Sequence, residues 1–395
     1  RRMAGFRKAA LQASTAASRI LLKEKEVPDE GQTILQKDLA QTLERMVNKG
    51  HAGFYAGETA SRLLTAVQAA GGIWSEEDLA SYQVVERQPV TGHYHNVKVT
   101  TATLPSSGGI VLLEMLNQLE GYDLTQRNSA EVAHLLVETM RRAYRDRAAY
   151  LGDADFIDIP TTLLTSKAYA AGLRQSIRLD RATASAELAP TNVSPASGNH
   201  TTHFSIIDSE GNRVSATLSI NYPFGSGFIA EGTGVLLNDE MDDFVAKPGA
   251  ANVYGLVGNA ANAIEPGKRM LSSMSPTFLE DSERVAILGS PGGSRIITMV
   301  LLGTLAFERQ ASAKAIVSLE RFHHQYLPDQ IQFEPGALSP AVQQQLEKRG
   351  HHLKPLDNRY GNMQAIVWNK KNHTIEAASD PRGIGGASPD PGATQ

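Results

Sequence analysis

The stretch Gly198-Asn199-His200-Thr201-Thr202-His203-Phe204-Ser205 sets a hydroxyl residue where a polar loop gives way to an alternating strand pattern. Phe204 and Ile206, then Val214, Ala216, Leu218 and Ile220, mark two strands around the turn Ser209-Glu210-Gly211-Asn212, so Thr201 is expected at the start of a core hairpin. A cut before Thr201 would give it a free amine beside its own hydroxyl. That amine can take the hydroxyl proton, and one residue then supplies both nucleophile and base. By themselves the same threonines read first as ordinary β-branched strand residues.

Other groups could serve such a nucleophile. Gly289-Ser290-Pro291-Gly292-Gly293-Ser294-Arg295 opens an apolar helix. It lacks the Gly-Lys-Ser/Thr ending of a phosphate loop. Adjacent glycine N–H groups at a helix start can instead face a developing oxyanion, or simply form a tight turn. Asp239, Glu240, Asp242 and Asp243 could hold a cation or a substrate amine, or be an exposed acidic turn. Ser272-Ser273 could donate to a carboxylate, or start a strand. His93 and His95, His323-His324 and His351-His352 lack a companion carboxylate at a metal-like spacing and read as surface or packing residues.

The elements that must position these residues follow from periodicity and capping. A helix is predicted over 5–24, another from a cap at Asp38 to Asn48, and a third from Glu58 to Gly71, with Ser75 capping a short fourth. Residues 84–103 read as strand, and Ile110 to Leu119 as an apolar helix. Asn128 or Ser129 caps a long helix to Tyr150 whose apolar face is Val132, Leu135, Leu136, Met140, Ala143 and Tyr144. Its Arg141, Arg142, Arg145 and Arg147 read as a solvated face. Residues 178–200 and 247–268 read as loops. After residue 270, strands near 285–288, 329–333, 364–369 and 374–379 alternate with helices at 296–307, 311–319 and 339–349.

Composition narrows the function classes. A net charge of −4 with mixed signs leaves no electrostatic footprint for nucleic acid. With no cysteine, disulfides, thiolate metal sites and a cysteine nucleophile are excluded. No apolar run is long enough to span a membrane. The basic N-terminus Arg1-Arg2-Met3 has no apolar stretch behind it and does not read as a secretory signal.

Taken jointly and in order, several segments resemble the γ-glutamyltransferase (γ-glutamyltranspeptidase) family of bacterial type. They are Pro105-Ser106-Ser107-Gly108-Gly109, Tyr150-Leu151-Gly152-Asp153, Thr201-Thr202-His203-Phe204-Ser205, Leu237-Asn238-Asp239-Glu240-Met241-Asp242-Asp243-Phe244, Leu271-Ser272-Ser273-Met274-Ser275-Pro276, Gly289 to Arg295 and Ser379-Asp380-Pro381-Arg382. The resemblance implies an α+β fold, the αββα four-layer sandwich of N-terminal-nucleophile hydrolases. It implies self-cleavage at His200-Thr201, with 1–200 as part of a large subunit and 201–395 as an associated small subunit. Thr201 corresponds to the nucleophile and Ser219 to a supporting hydroxyl that is usually threonine. Gly292 and Gly293 correspond to the oxyanion hole. Asn221, Glu240 and Asp243 correspond to residues on the glutamyl α-amino group, Ser272 and Ser273 to those on its α-carboxylate, and Tyr254 to a lid residue. No cofactor or metal is implied. The implied substrate is a γ-glutamyl compound such as glutathione, with an amino acid, peptide or water as acceptor, in a periplasmic or extracellular setting. The family's large subunit begins well upstream, and that portion carries core strands and a carboxylate-pairing arginine. The chain therefore reads as an N-terminally truncated homologue, with no arginine here identified as a replacement. A related acylase, a poly-γ-glutamate transpeptidase and an inactive unprocessed homologue are the alternatives.

Overall fold

The computed structural model describes residues 1–188, 201–247, 252 and 255–388. These fall into two compact units. The first comprises Arg1–Arg87 with Ser219–Glu240, and the second Gln88–Leu218 with Met241–Gln395.

The first unit is helical. The single helix expected over 5–24 is three short ones, Arg2–Phe6, Lys8–Ala13 and Thr15–Leu21. Ser14 is the reason for the last break: its Oγ accepts from Ala17 N–H at 3.3 Å and starts a new helix. Helices α1 (Lys37–Lys49) and α2 (Gly57–Ala69) follow. Asp38 lies in the first turn of α1 and does not cap it; the cap position is Gln36. Ser75 and Asp78 make the expected capping box. The returning segment packs into these helices, with Ile229 against Leu11, Ala16 and Leu22, and Ala230 against Leu63, Leu64 and Leu79.

The second unit is built on a six-stranded antiparallel sheet. Its strands are β1 (Val90–Tyr94), β2 (Val97–Thr101), β5 (Thr277–Glu280), β6 (Arg284–Gly289), β10 (Gln364–Asn369) and β11 (Thr374–Ser379), adjacent in that order. The strand expected over 84–103 is thus the β1–β2 hairpin, because His95 turns the chain at φ +51°. Strands β3 (Thr201–Ile207) and β4 (Arg213–Ser219) form a separate two-stranded hairpin, and β7 (Phe322–His323), β8 (Ile331–Phe333) and β9 (Leu353–Pro355) a small third sheet. Helices α3 (Gly108–Leu119) and α5 (Ile296–Glu308) pack on the large sheet, and α4 (Ser129–Tyr150) packs on α3. The hairpin lies against β6 and β10, so β6 is buried along its whole length.

Two expectations about faces are overturned. In the hairpin, the inward side chains are polar: His203 bonds Thr217 Oγ1 at 2.8 Å, and Ser205 and Ser215 reach the carbonyls of Ile287 and Leu288 at 3.4 Å. The apolar Phe204, Ile206, Val214 and Leu218 are exposed. The inward face must fit closely, since a Cβ on Gly289 would meet the His203 ring at 2.2 Å. The arginines of α4 are not a solvated face either. Arg141, Arg142 and Arg147 are buried. Arg141 and Arg142 pair with the buried Glu138, which also accepts from Thr183 Oγ1 at 2.6 Å.

Candidate functional site

Strand β6 runs directly into Ser290-Pro291-Gly292-Gly293 and then, through a short 3₁₀ turn, into α5. Gly292 has φ +152° and Gly293 φ +56°, backbone that L side chains rarely adopt. A Cβ on Gly292 would also meet Met299 Cε at 2.5 Å. The loop is anchored from three sides. Tyr144 OH, on α4, donates to Ser294 O; Ser294 Oγ donates to Gln325 Oε1 at 2.7 Å; Arg295 Nη2 donates to Gln332 Oε1 at 2.6 Å. Thr201 begins β3, and two residues on His203 packs against Gly289 at the end of β6. Strand β3 is thereby fixed to the strand that delivers the two glycines. Burial pushes the His203 imidazole down to about 4, so it stays neutral.

A second group of predicted residues meets at the same end of the large sheet, where Thr277 of β5 pairs with Thr101 of β2 on one side and Leu288 of β6 on the other. Pro105-Ser106-Ser107 is zipped to Ser272-Ser273-Met274: Ser272 N–H donates to Pro105 O at 2.9 Å, Ser107 N–H to Ser272 O at 2.8 Å, and Ser106 Oγ to Met274 O at 2.5 Å. Asn262, nearly buried, joins Asp243 to this platform. Its Nδ2 donates to Asp243 O at 2.7 Å and its Oδ1 accepts from Leu271 N–H at 3.0 Å. Asp243 Oδ1 accepts from Asn252 Nδ2 at 2.9 Å. Asp153, in the segment after α4, accepts from Arg269 N–H at 2.8 Å and steadies the approach to Ser272.

Ser219, Asn221, Asp239 and Glu240 come together in the first unit. Asn221 has φ +66°, its N–H donates to Ser219 Oγ at 2.9 Å, and its Nδ2 donates to Asp239 O at 3.1 Å. Burial raises the Glu240 carboxyl above its ordinary value, partly offset by bonds from Ser219 and the Asn221 backbone. Its Oε1 is buried with no hydrogen-bond partner among the described residues, an unsatisfied acceptor that a cationic donor would satisfy. Tyr254 and His200 lie outside the described residues.

Sequence reasoning missed Arg147. Its Nε donates to Ser107 Oγ at 2.9 Å and its Nη2 to Ser273 Oγ at 3.2 Å. A signal was present: at roughly 100° per residue, positions 141, 142, 145 and 147 spread around the helix and cannot share one wet face. The histidines also have a companion unseen in the sequence. His134, Glu138 and His351 gather their donor atoms within 4.8 Å. His134 Nδ1 lies 2.7 Å from His351 Nε2, so the two rings share a proton, and Glu138 is taken by two guanidinium groups. The arrangement is a packed polar core, and two fixed cations beside the carboxylate disfavour a metal ion there. The Asp380–Arg382 segment is likewise structural, pairing with the buried Arg321 and Glu334.

An antiparallel sheet packed with helices and flanked by the β3–β4 hairpin is an α+β arrangement. The solved structure of cephalosporin acylase from Bacillus halodurans aligns over 96% of this chain and 68% of its own, with a TM-score of 0.81 at 22% identity, a likeness of fold. The family model for gamma-glutamyltranspeptidase matches residues 1–390, and the chain belongs to that family. It is 41% identical to the glutathione hydrolase proenzyme of Escherichia coli (strain K12) over 92% of its length, and 43% identical to that of Pseudomonas aeruginosa over 90%. It spans 63% and 64% of the length of those two relatives.

Proposed function

We propose that the chain carries the chemistry of a γ-glutamyltransferase with glutathione hydrolase activity. The observation that carries this reading is the half-buried Glu240 carboxylate, whose Oε1 is buried and unpartnered among the described residues, a socket for the α-ammonium of a γ-glutamyl substrate. The names of the relatives, glutathione hydrolase proenzymes, agree with it. In the proposed reaction a cut at His200-Thr201 frees the Thr201 amine. The amine takes the Oγ1 proton as Oγ1 attacks the γ-carbonyl carbon, with Ser219 supporting the hydroxyl. N–H groups of Gly292 and Gly293 meet the oxyanion. The C–N bond breaks, the leaving amine takes the proton, and a γ-glutamyl ester remains on Thr201. Attack by an amino acid or peptide amine, or by water, releases it. Asn221, Glu240 and Asp243 are assigned to the α-ammonium, Ser272 and Ser273 to the α-carboxylate, and Tyr254 to a lid.

The cut would leave segments 1–200 and 201–395 associated as two subunits, because the large sheet draws strands from both. Lys98–Thr101 of β2 pair with Thr277–Glu280 of β5. A periplasmic or extracellular location is proposed with this reading; among the described residues no helix is long and apolar enough to cross a membrane. Mass spectrometry tests the nucleophile: wild type should yield a fragment of 395 − 200 = 195 residues beginning at Thr201, and Thr201→Ala should remain whole. A new N-terminus anywhere else, or no turnover of γ-glutamyl-p-nitroanilide by the cut protein, would overturn the assignment.

A further inference from the structure

Arg147 is a buried guanidinium with no carboxylate in ion-pair range among the described residues. Burial disfavours its charge, and Asp243, acting through space, helps to retain it. Helix α4 holds the residue one turn beyond Tyr144, which ties down the loop after Gly292-Gly293. The hydrogen-bond directions around Arg147 then follow from donor and acceptor chemistry. A guanidinium only donates. Ser107 Oγ accepts from Arg147 Nε and passes its own proton to Ser272 O at 2.7 Å. Ser273 Oγ accepts from Arg147 Nη2, and Ser272 Oγ accepts from Met274 N–H at 3.0 Å. Both platform serines therefore receive a bond from the protein, and their own hydroxyl protons have no acceptor among the described residues. They are set to donate to an anion.

Resting on the γ-glutamyl reading above, we propose that Arg147 is a positioning residue for the substrate's α-carboxylate. It acts through Ser273 and, by way of Ser107, through the Ser272 backbone. Its donation fixes the Ser273 hydroxyl as an outward donor, and its charge, weakly compensated nearby, makes that donor stronger toward a carboxylate. Lysine keeps the charge but is a single point donor and cannot reach both Ser107 and Ser273 in the planar fork.

The test uses the full chain and two substrates: γ-glutamyl-p-nitroanilide, and 4-aminobutyryl-p-nitroanilide, which lacks only the α-carboxylate. Arg147→Lys should raise KM for the first about 10-fold, as for one misdirected bond to a charged group, with kcat within about threefold. It should leave kcat/KM for the second unchanged. The effect should shrink in a Ser273→Ala background to the part carried through Ser107 and Ser272. Equal losses on both substrates, or a full further loss in Ser273→Ala, would overturn the proposal, the first marking general damage and the second direct contact. If Arg147→Lys does not fold, Ser107→Ala decides: a KM increase confined to the γ-glutamyl substrate supports the inference, and no increase refutes it. Wild type that neither turns over the γ-glutamyl substrate nor binds L-glutamate by calorimetry overturns the proposed function. Wild-type binding with an Arg147→Lys variant that weakens L-glutamate and 4-aminobutyrate alike overturns only this inference.

Discussion

Replacing Glu240 by glutamine separates charge from shape at the proposed ammonium socket. Glutamine keeps a carbonyl oxygen to accept from Ser219 and the Asn221 N–H, and it puts an amide nitrogen where Oε1 now lacks a partner. What disappears is the charge. A hydrogen bond to a charged group contributes about 1.5–3 kcal/mol, so kcat/KM for γ-glutamyl-p-nitroanilide should fall roughly 10- to 150-fold. Glutaryl-p-nitroanilide, without the amine, should be turned over equally by wild type and Glu240→Gln. The pH profile gives an independent check. Burial lifts the Glu240 carboxyl above 4.5, so the wild-type acid limb for the γ-glutamyl substrate lies above the ordinary glutamate range. Glu240→Gln should lose that limb. Stability should move the other way. A carboxyl whose pKa is raised on folding contributes stability below its unfolded pKa and loses it as pH rises through the folded value. At pH 7 the ionised Glu240 is therefore a burden, and the Tm of Glu240→Gln should equal or exceed that of wild type. Equal slowing of both substrates, or an unchanged acid limb, would refute the socket.

Gly292→Ala should lower kcat about 10²–10³-fold, because a Cβ at φ +152° and 2.5 Å from Met299 Cε displaces a proposed oxyanion donor; single-turnover kinetics with unchanged ester formation would show the loop to be only structural. Acid should destabilise the second unit. His203 and His324 are held at about 4, and His323 and His351 at about 3, all by burial. Their stabilising neutral state is complete above pH 6.5 and is lost as pH falls toward those values, each contributing up to about 1.4 kcal/mol per pH unit. Thermal unfolding should show Tm dropping between pH 7 and pH 5, and a flat Tm there would contradict the burial argument.

Local pattern was enough for much of the frame. Residues 364–369 and 374–379 are strands as expected, and the long helix begins at an Asn128–Glu131 capping box and ends at Tyr150. Alternation, caps and glycine breaks act over a few residues, so they are legible in one dimension. The family and its candidate residues were legible too, because seven short segments recur in a fixed order. Tertiary structure decided what those signals could not. The β3–β4 pattern has two faces, and only the close approach at Gly289 decides that His203 and Ser205 turn inward while Phe204 and Ile206 stay exposed. Arg147 looks like any surface arginine until Ser107 and Ser273, 40 and 126 residues away in the chain, are brought to its guanidinium. A polar side chain becomes buried only when distant segments supply its partners, and partners of that kind leave no mark in the local sequence.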